Sequence, residues 1–112
     1  KSKNPSLYLY SYLFQGQAQM MSGREKVAKR IWIWLLELAT KLHNDSLLCS
    51  VYGNLGLYAA NIDTDYYRAI QWLYKGITLA QQNKYQEQYA ILLANLANIY
   101  YLKKIKPASN MR

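Results

Sequence analysis

Apolar residues recur at spacings of three and four along most of the chain, and short polar stretches divide that pattern into five segments. Leu7, Leu9, Tyr10, Leu13 and Phe14 predict a helix from about Pro5 to Met20, opened by Asn4 as cap and Pro5 at the first helical position. Ser22-Gly23-Arg24-Glu25 has the form of a capping box and predicts the start of a second helix. That helix carries Val27, Ala28, Ile31, Trp32, Leu35, Leu38 and Leu42 on one stripe. Asn44-Asp45-Ser46 ends it and caps a third helix with Leu48, Tyr52, Leu55 and Ala59, which fades near Asn61. Asp63-Thr64-Asp65 caps a fourth, marked by Ala69, Leu73, Gly76, Ile77 and Ala80. Asn83-Lys84 breaks it, and a fifth runs from about Gln86 to Lys103. Pro107 offers the start of a sixth, with five residues after it. No stretch sustains a period of two, so the fold class expected is all-α.

The segments repeat. Asn54 and Leu55 return 41 positions later as Asn95 and Leu96, and Ala28, Trp32, Leu36, Leu38 and Ala39 return as Ala69, Leu73, Ile77, Leu79 and Ala80. A fixed period in the range of ~20–50 residues marks stacked supersecondary units that bury their apolar faces only against one another. The boundaries expected are about 5–43 for the first unit, 45–83 for the second and 86–104 for a half unit, with a basic tail over 105–112. Small residues recur at fixed places: Gly16, Gly56 and Ala97 on first helices, Ala28 and Ala69 on second helices. A large side chain there would force a helix pair apart at a cost of about 1–3 kcal/mol.

In these features the chain resembles the tetratricopeptide repeat (TPR) family, whose signature is W-x₂-L-G-x₂-Y, then A-x₃-F, then P. Tyr52, Leu55-Gly56 and Ala59 stand at the first set of places in the second unit, and Ala69 and Leu73 at the next. Leu93, Leu96-Ala97 and Tyr100 follow in the third, and Tyr12, Gly16, Ala28 and Trp32 in the first. The period of 41 exceeds the usual 34, and the Pro is absent from the first two units. Longer units of this size are similar to those of kinesin light chains, Pins-type scaffolds and bacterial peptide-sensing regulators. The resemblance implies antiparallel helix pairs stacked as a right-handed superhelical array of five helices, two and a half repeats. It also implies a concave face lined by the first helix of each unit.

That face is where a peptide would lie. The residues the resemblance places there for binding are Phe14 and Gln17; Asn54, Leu57 and Asn61; and Asn95, Asn98 and Tyr101, with Tyr10, Leu13, Ser50 and Ile91 beside them. Asn54 and Asn95 hold the same place in successive units. A carboxamide both donates and accepts, so each matches one peptide unit of an extended chain. Ser50 and Ile91 stand where a clamp for a terminal carboxylate would need a basic residue, so the groove expected is neutral. The function expected is peptide or protein binding within a larger intracellular protein, such as the sensor part of a bacterial regulator; the alternatives are self-association and, ranked behind it, nucleic-acid binding through the basic clusters. For a pair of copies, the apolar outer side of the fifth helix is the surface expected, with Ile91, Leu92, Ile99 and Leu102 as its candidates.

Composition narrows the field. Hydrophobic residues make up 52% and charged residues 18%, which favours a buried core over disorder. One Cys (Cys49) and one His (His43) assemble neither a disulfide nor a Cys/His metal site, so no cofactor or metal is expected, and a reducing cytoplasm is the simplest compartment. Asp63 and Asp65 are read as helix caps rather than an acid/base pair, and no phosphate-binding glycine motif occurs, so no enzymatic activity is expected. No apolar run approaches the ~20 residues of a spanning helix, so no membrane partner is expected. The net charge of +8 gathers in Arg24, Lys26, Lys29 and Arg30 and in Lys103, Lys104 and Lys106. Without aromatics interleaved among them, these clusters read as a solvated helix face and a basic chain end rather than a nucleic-acid footprint. The opening at Lys1 without a Met fits a piece of a longer protein.

Overall fold

A computed structural model describes the backbone of residues 5–110 and the side chains of residues 7–104. The cap expected at Asn4 lies outside the described residues, as does the side chain of Lys106. Five helices follow one another: α1 (Pro5–Met21), α2 (Glu25–Lys41), α3 (Asp45–Asn61), α4 (Tyr66–Asn83) and α5 (Gln86–Asn110). No strand occurs among the described residues, so the chain is all-α. The helix expected to stop near Lys103 continues to Asn110, and Pro107 lies inside it rather than opening a sixth. A proline close to a helix end removes one backbone bond without ending the element.

The 41-residue period is written into the turns. Gly23, His43, Thr64 and Lys84 have φ of 84°, 54°, 48° and 60°, and the first and third, like the second and fourth, stand 41 positions apart. At Gly23 the chain leaves α1 with the Gly23 N–H on the Met20 carbonyl and the Arg24 N–H on the Gln19 carbonyl. The same pair of closures recurs around His43 (to Thr40 and Ala39) and around Lys84 (to Gln81 and Ala80). This pairing satisfies the last carbonyls of each helix and requires one left-handed residue. Two- to four-residue turns of this kind set consecutive helices antiparallel.

The capping box expected at Ser22 does not form. Because Gly23 takes the left-handed position, Ser22 bonds back to the last turn of α1, its N–H and its hydroxyl both donating to the Ala18 carbonyl at 3.0 Å. Arg24 becomes the N-cap of α2 and makes no side-chain capping bond. The caps at Asn44 and Asp65 do form, accepting from the Leu47 and Arg68 N–H groups at 3.1 Å each. Leu42, expected on the buried stripe, is exposed because it follows the last turn of α2 and already leaves the helix.

Several matched positions of the first two units, and Leu55 with Leu96, are buried alike. Ala28 and Ala69, and Ala39 and Ala80, have no exposed surface, and Trp32, Leu73, Leu55 and Leu96 are all buried. Each helix packs against the next; α3 also meets α1 and α5, whereas α2 and α4 make no close backbone approach among the described residues. The odd helices therefore form one layer and the even helices the other. Within a unit the layers interlock where a first helix has no side chain. A Cβ on Gly16 would overlap the Trp32 indole, whose Nε1 donates to the Leu13 carbonyl at 3.3 Å. A Cβ on Gly56 would stand 2.9 Å from Leu73 and 3.3 Å from the Ala69 carbonyl. Leu92 of α5 is seated against two further bare positions, Gly53 of α3 and Gly76 of α4.

Two stability outcomes follow. Gly56→Val is expected to cost about 2 kcal/mol by overpacking, whereas Ala97→Val, at the matching but exposed place, stays within about 0.5 kcal/mol. Lys84→Gly is expected to stabilise by up to about 1 kcal/mol, because glycine removes the penalty of a left-handed Cβ. Urea denaturation midpoints of the three variants check both.

Candidate binding groove

The odd-numbered layer leaves a hollow of about 300 Å³ between α1, α3 and α5. From α1 it takes Tyr10, Leu13, Phe14 and Gln17; from α3, Cys49, Ser50, Gly53, Asn54 and Leu57; from α5, Gln88, Ile91, Leu92 and Asn95. None of these carries a formal charge at neutral pH. The hollow exists because α3 is the floor, with two helices beside it and α4 behind, and because Gly53 thins that floor. Phe14 and Ile91, 59% and 54% exposed, rise on opposite walls and hold apolar surface at the mouth.

One end of the groove is closed by polar groups from all three helices. The Tyr10 and Ser46 hydroxyls share a hydrogen bond of 2.8 Å, and Gln88 Nε2 donates to the Ser46 carbonyl at 2.9 Å and to Ser50 Oγ at 3.2 Å. These bonds tie α1 and α5 to the first turns of α3 and fix the width of the groove there. Deeper in, Asn54 is left unfinished. Its Nδ2 is buried and has no hydrogen-bond partner, a state that costs about 1–3 kcal/mol when nothing fills it. Gln19 Oε1 is a second orphan, but Gln19 is not among the groove residues.

Cys49 lies under the floor, without exposed surface, its Sγ 3.6 Å from the Gly76 carbonyl. Burial, with a smaller contribution from the Asp45 charge, pushes its thiol up to about 11. Such a group is packed rather than nucleophilic. Desolvation likewise raises the neighbouring Tyr52 phenol above its ordinary value.

Of the eight residues expected to contact a peptide, Phe14, Gln17, Asn54, Leu57 and Asn95 come together here. Asn98, Tyr101 and Asn61 do not. Asn98 stands within about 20° of Ile91 around α5 but about 10 Å farther along, and Tyr101 is turned about 120° from Asn95, at 3.6 residues per turn. Asn61 shares the face of Asn54 but sits about 10 Å farther along, at the last residue of α3. Gln88 was missed, although it precedes Ile91 by three and Asn95 by seven on the same stripe. Ser46 escaped notice as a mere helix start.

No protein-family model, curated protein or solved structure matches this chain.

Asn54→Leu removes an orphaned donor at similar volume and is expected to leave stability unchanged or raise it by about 1 kcal/mol; thermal denaturation checks this. A thiol raised to about 11 is deprotonated about a hundredfold less at pH 8 than a free one. Iodoacetamide should therefore modify folded Cys49 at least that much more slowly than the urea-unfolded chain, and modification of the folded chain should accelerate only as pH approaches 11.

Proposed function

We propose that this chain is a TPR-like binding module of the long-repeat type that holds an uncharged, extended peptide segment in the groove between α1, α3 and α5. In this reading it is part of a larger intracellular protein, such as the sensor of a bacterial regulator. The observation that carries the reading is the unspent donor of Asn54, buried in a neutral groove with Asn95 in the matching place one unit on. Two carboxamides a unit apart grip main-chain amides whatever the side chains, at a net ~0.5–1.5 kcal/mol per bond. Phe14, Leu57 and Ile91 then discriminate by fit. The absence of charge among the lining residues supports a neutral ligand over a carboxylate-terminated one. The packed state of Cys49 favours binding over chemistry.

A second reading, self-association through α5, has one observation in its favour. Leu93 and Tyr100 are 39% and 45% exposed, at places where α3 carries half-buried Tyr52 and buried Ala59. The outer surface so defined differs from the one expected in the sequence: Leu92 and Ile99 are buried and face inward.

Short peptides selected from a displayed library are expected to be neutral and apolar, and their affinity, titrated by calorimetry, should be insensitive to salt. The Asn54→Ala, Asn95→Ala double variant should bind them about tenfold more weakly while unfolding at the same temperature. Equal affinity for the variant would remove the asparagines from the site, and a concentration-dependent mass in sedimentation would favour the second reading.

A further inference from the structure

The outer stripe of α2 carries a hollow of about 590 Å³ that the peptide reading does not use. It is lined by Lys26, Lys29, Arg30, Ile33, Trp34 and Glu37, one face of the helix at spacings of three and four. In the sequence the basic cluster ends at Arg30 with no aromatic among its members; in the helix Trp34 stands one turn further along the same line. Trp34 thus shares one hollow with Lys26, Lys29 and Arg30, although it is not interleaved with them along the chain.

Trp34 is 45% exposed and held in place rather than loose. Tyr12 meets it edge-on, with ring centroids 5.1 Å apart at 76°, and Tyr8 props Tyr12 in turn at 5.4 Å and 88°. Of the cations, Lys29 is committed elsewhere, 4.0 Å from the Asp63 carboxylate and 5.3 Å from the centre of the Tyr58 ring. Lys26 and Arg30 have no ion pair among the described residues. The matching places on α4 are Tyr67, Ile70, Gln71, Tyr74, Lys75 and Thr78, with exposed Tyr67 and Tyr74 and the single cation Lys75, and no Asp or Glu lies within Tyr66–Asn83.

We propose that this outer stripe binds single-stranded nucleic acid without sequence preference, a base stacking on Trp34 while Lys26 and Arg30 take adjacent phosphates. An apolar floor with a cationic rim matches a flat base on an anionic backbone, and stacking on an aromatic ring tolerates every base. A bilayer fits less well: Trp34 lies in a hollow beside Ile33 rather than at a crest, where a ring enters headgroups. Glu37 closes the far end and repels phosphate, so the strand leaves the stripe before it. The site is on the layer opposite the peptide groove and is independent of it.

The test is fluorescence anisotropy of a labelled oligothymidine titrated with the whole chain across a salt series. Binding should weaken with salt, with a log–log slope of about −1.4 for two phosphates. Lys26→Gln with Arg30→Gln should abolish that slope, and Trp34→Ala should weaken binding about tenfold, with Trp34→Phe recovering much of the loss. Lys103→Gln with Lys104→Gln should leave binding as it was. The proposal is overturned if the wild type does not bind at low salt. It is also overturned if Trp34→Ala binds equally well, or if the Lys103 and Lys104 changes weaken binding as much as those at Lys26 and Arg30. Tighter binding to phosphatidylserine vesicles or to polyglutamate with the same Trp34 dependence would reassign the stripe and also overturn it. Should Trp34→Ala fail to fold by circular dichroism, Trp34→Phe and the exposed cation variants decide.

Discussion

The fold rests on contacts between an absent side chain and a large one. Gly16 admits Trp32 and Gly56 admits Leu73, so α1 lies close on α2 and α3 close on α4. Without those approaches the two layers would separate, and Ala28, Ala39, Ala69 and Ala80 would lose the packing that leaves them with no exposed surface. With the even helices drawn tightly to one side, the odd helices have their opposite flank free. The groove is that free flank. It is a by-product of where side chains are missing, and Gly53 deepens it by the same means.

The layers also divide the chemistry. Carboxamides, hydroxyls and apolar groups line the odd layer, whereas the cations of the first basic cluster stand on α2 and at its cap. The lining thus carries no formal charge, although the Asp45 carboxylate is felt at Cys49. The Tyr10–Ser46–Gln88 link shows what the groove's polar groups do when they find partners: they tie three helices together. Asn54 shows the same chemistry unpaired.

Much of this was legible in the residues. Period and punctuation placed all five helices within a residue or two at most ends, because Asn44 and Asp65 cap as their side chains allow and the apolar stripes are regular. The 41-residue register matched the burial of Ala28 with Ala69, Ala39 with Ala80 and Leu55 with Leu96, but not of Ala59 with Tyr100. The rest depended on geometry that a local pattern does not carry. Ser22 was misassigned because Gly23 decides, by its left-handed φ, which helix the serine serves. The inner side of α5 could not be read from its own residues, since apolar groups surround that helix; Gly53 and Gly76, far away in sequence, decide that Leu92 faces in. Asn98 and Tyr101, placed on the groove by analogy, do not line the hollow: Asn98 lies on the Ile91 side of α5 two turns farther along, and Tyr101 is turned away from Asn95. Trp34 was overlooked beside the cations because adjacency along a helix was judged along the chain.

Leu92 has a mechanical consequence. It fills the space that Gly53 and Gly76 leave bare, with Tyr52 beside it, so α3 and α4 together set how deeply α5 sits. Leu96 and Ile99 are buried in the same row and hold the rest of the helix to the core. Ile91 and Asn95 ride on that helix, so the bare backbone of two other helices acts as the gauge that fixes how far the aperture stands open.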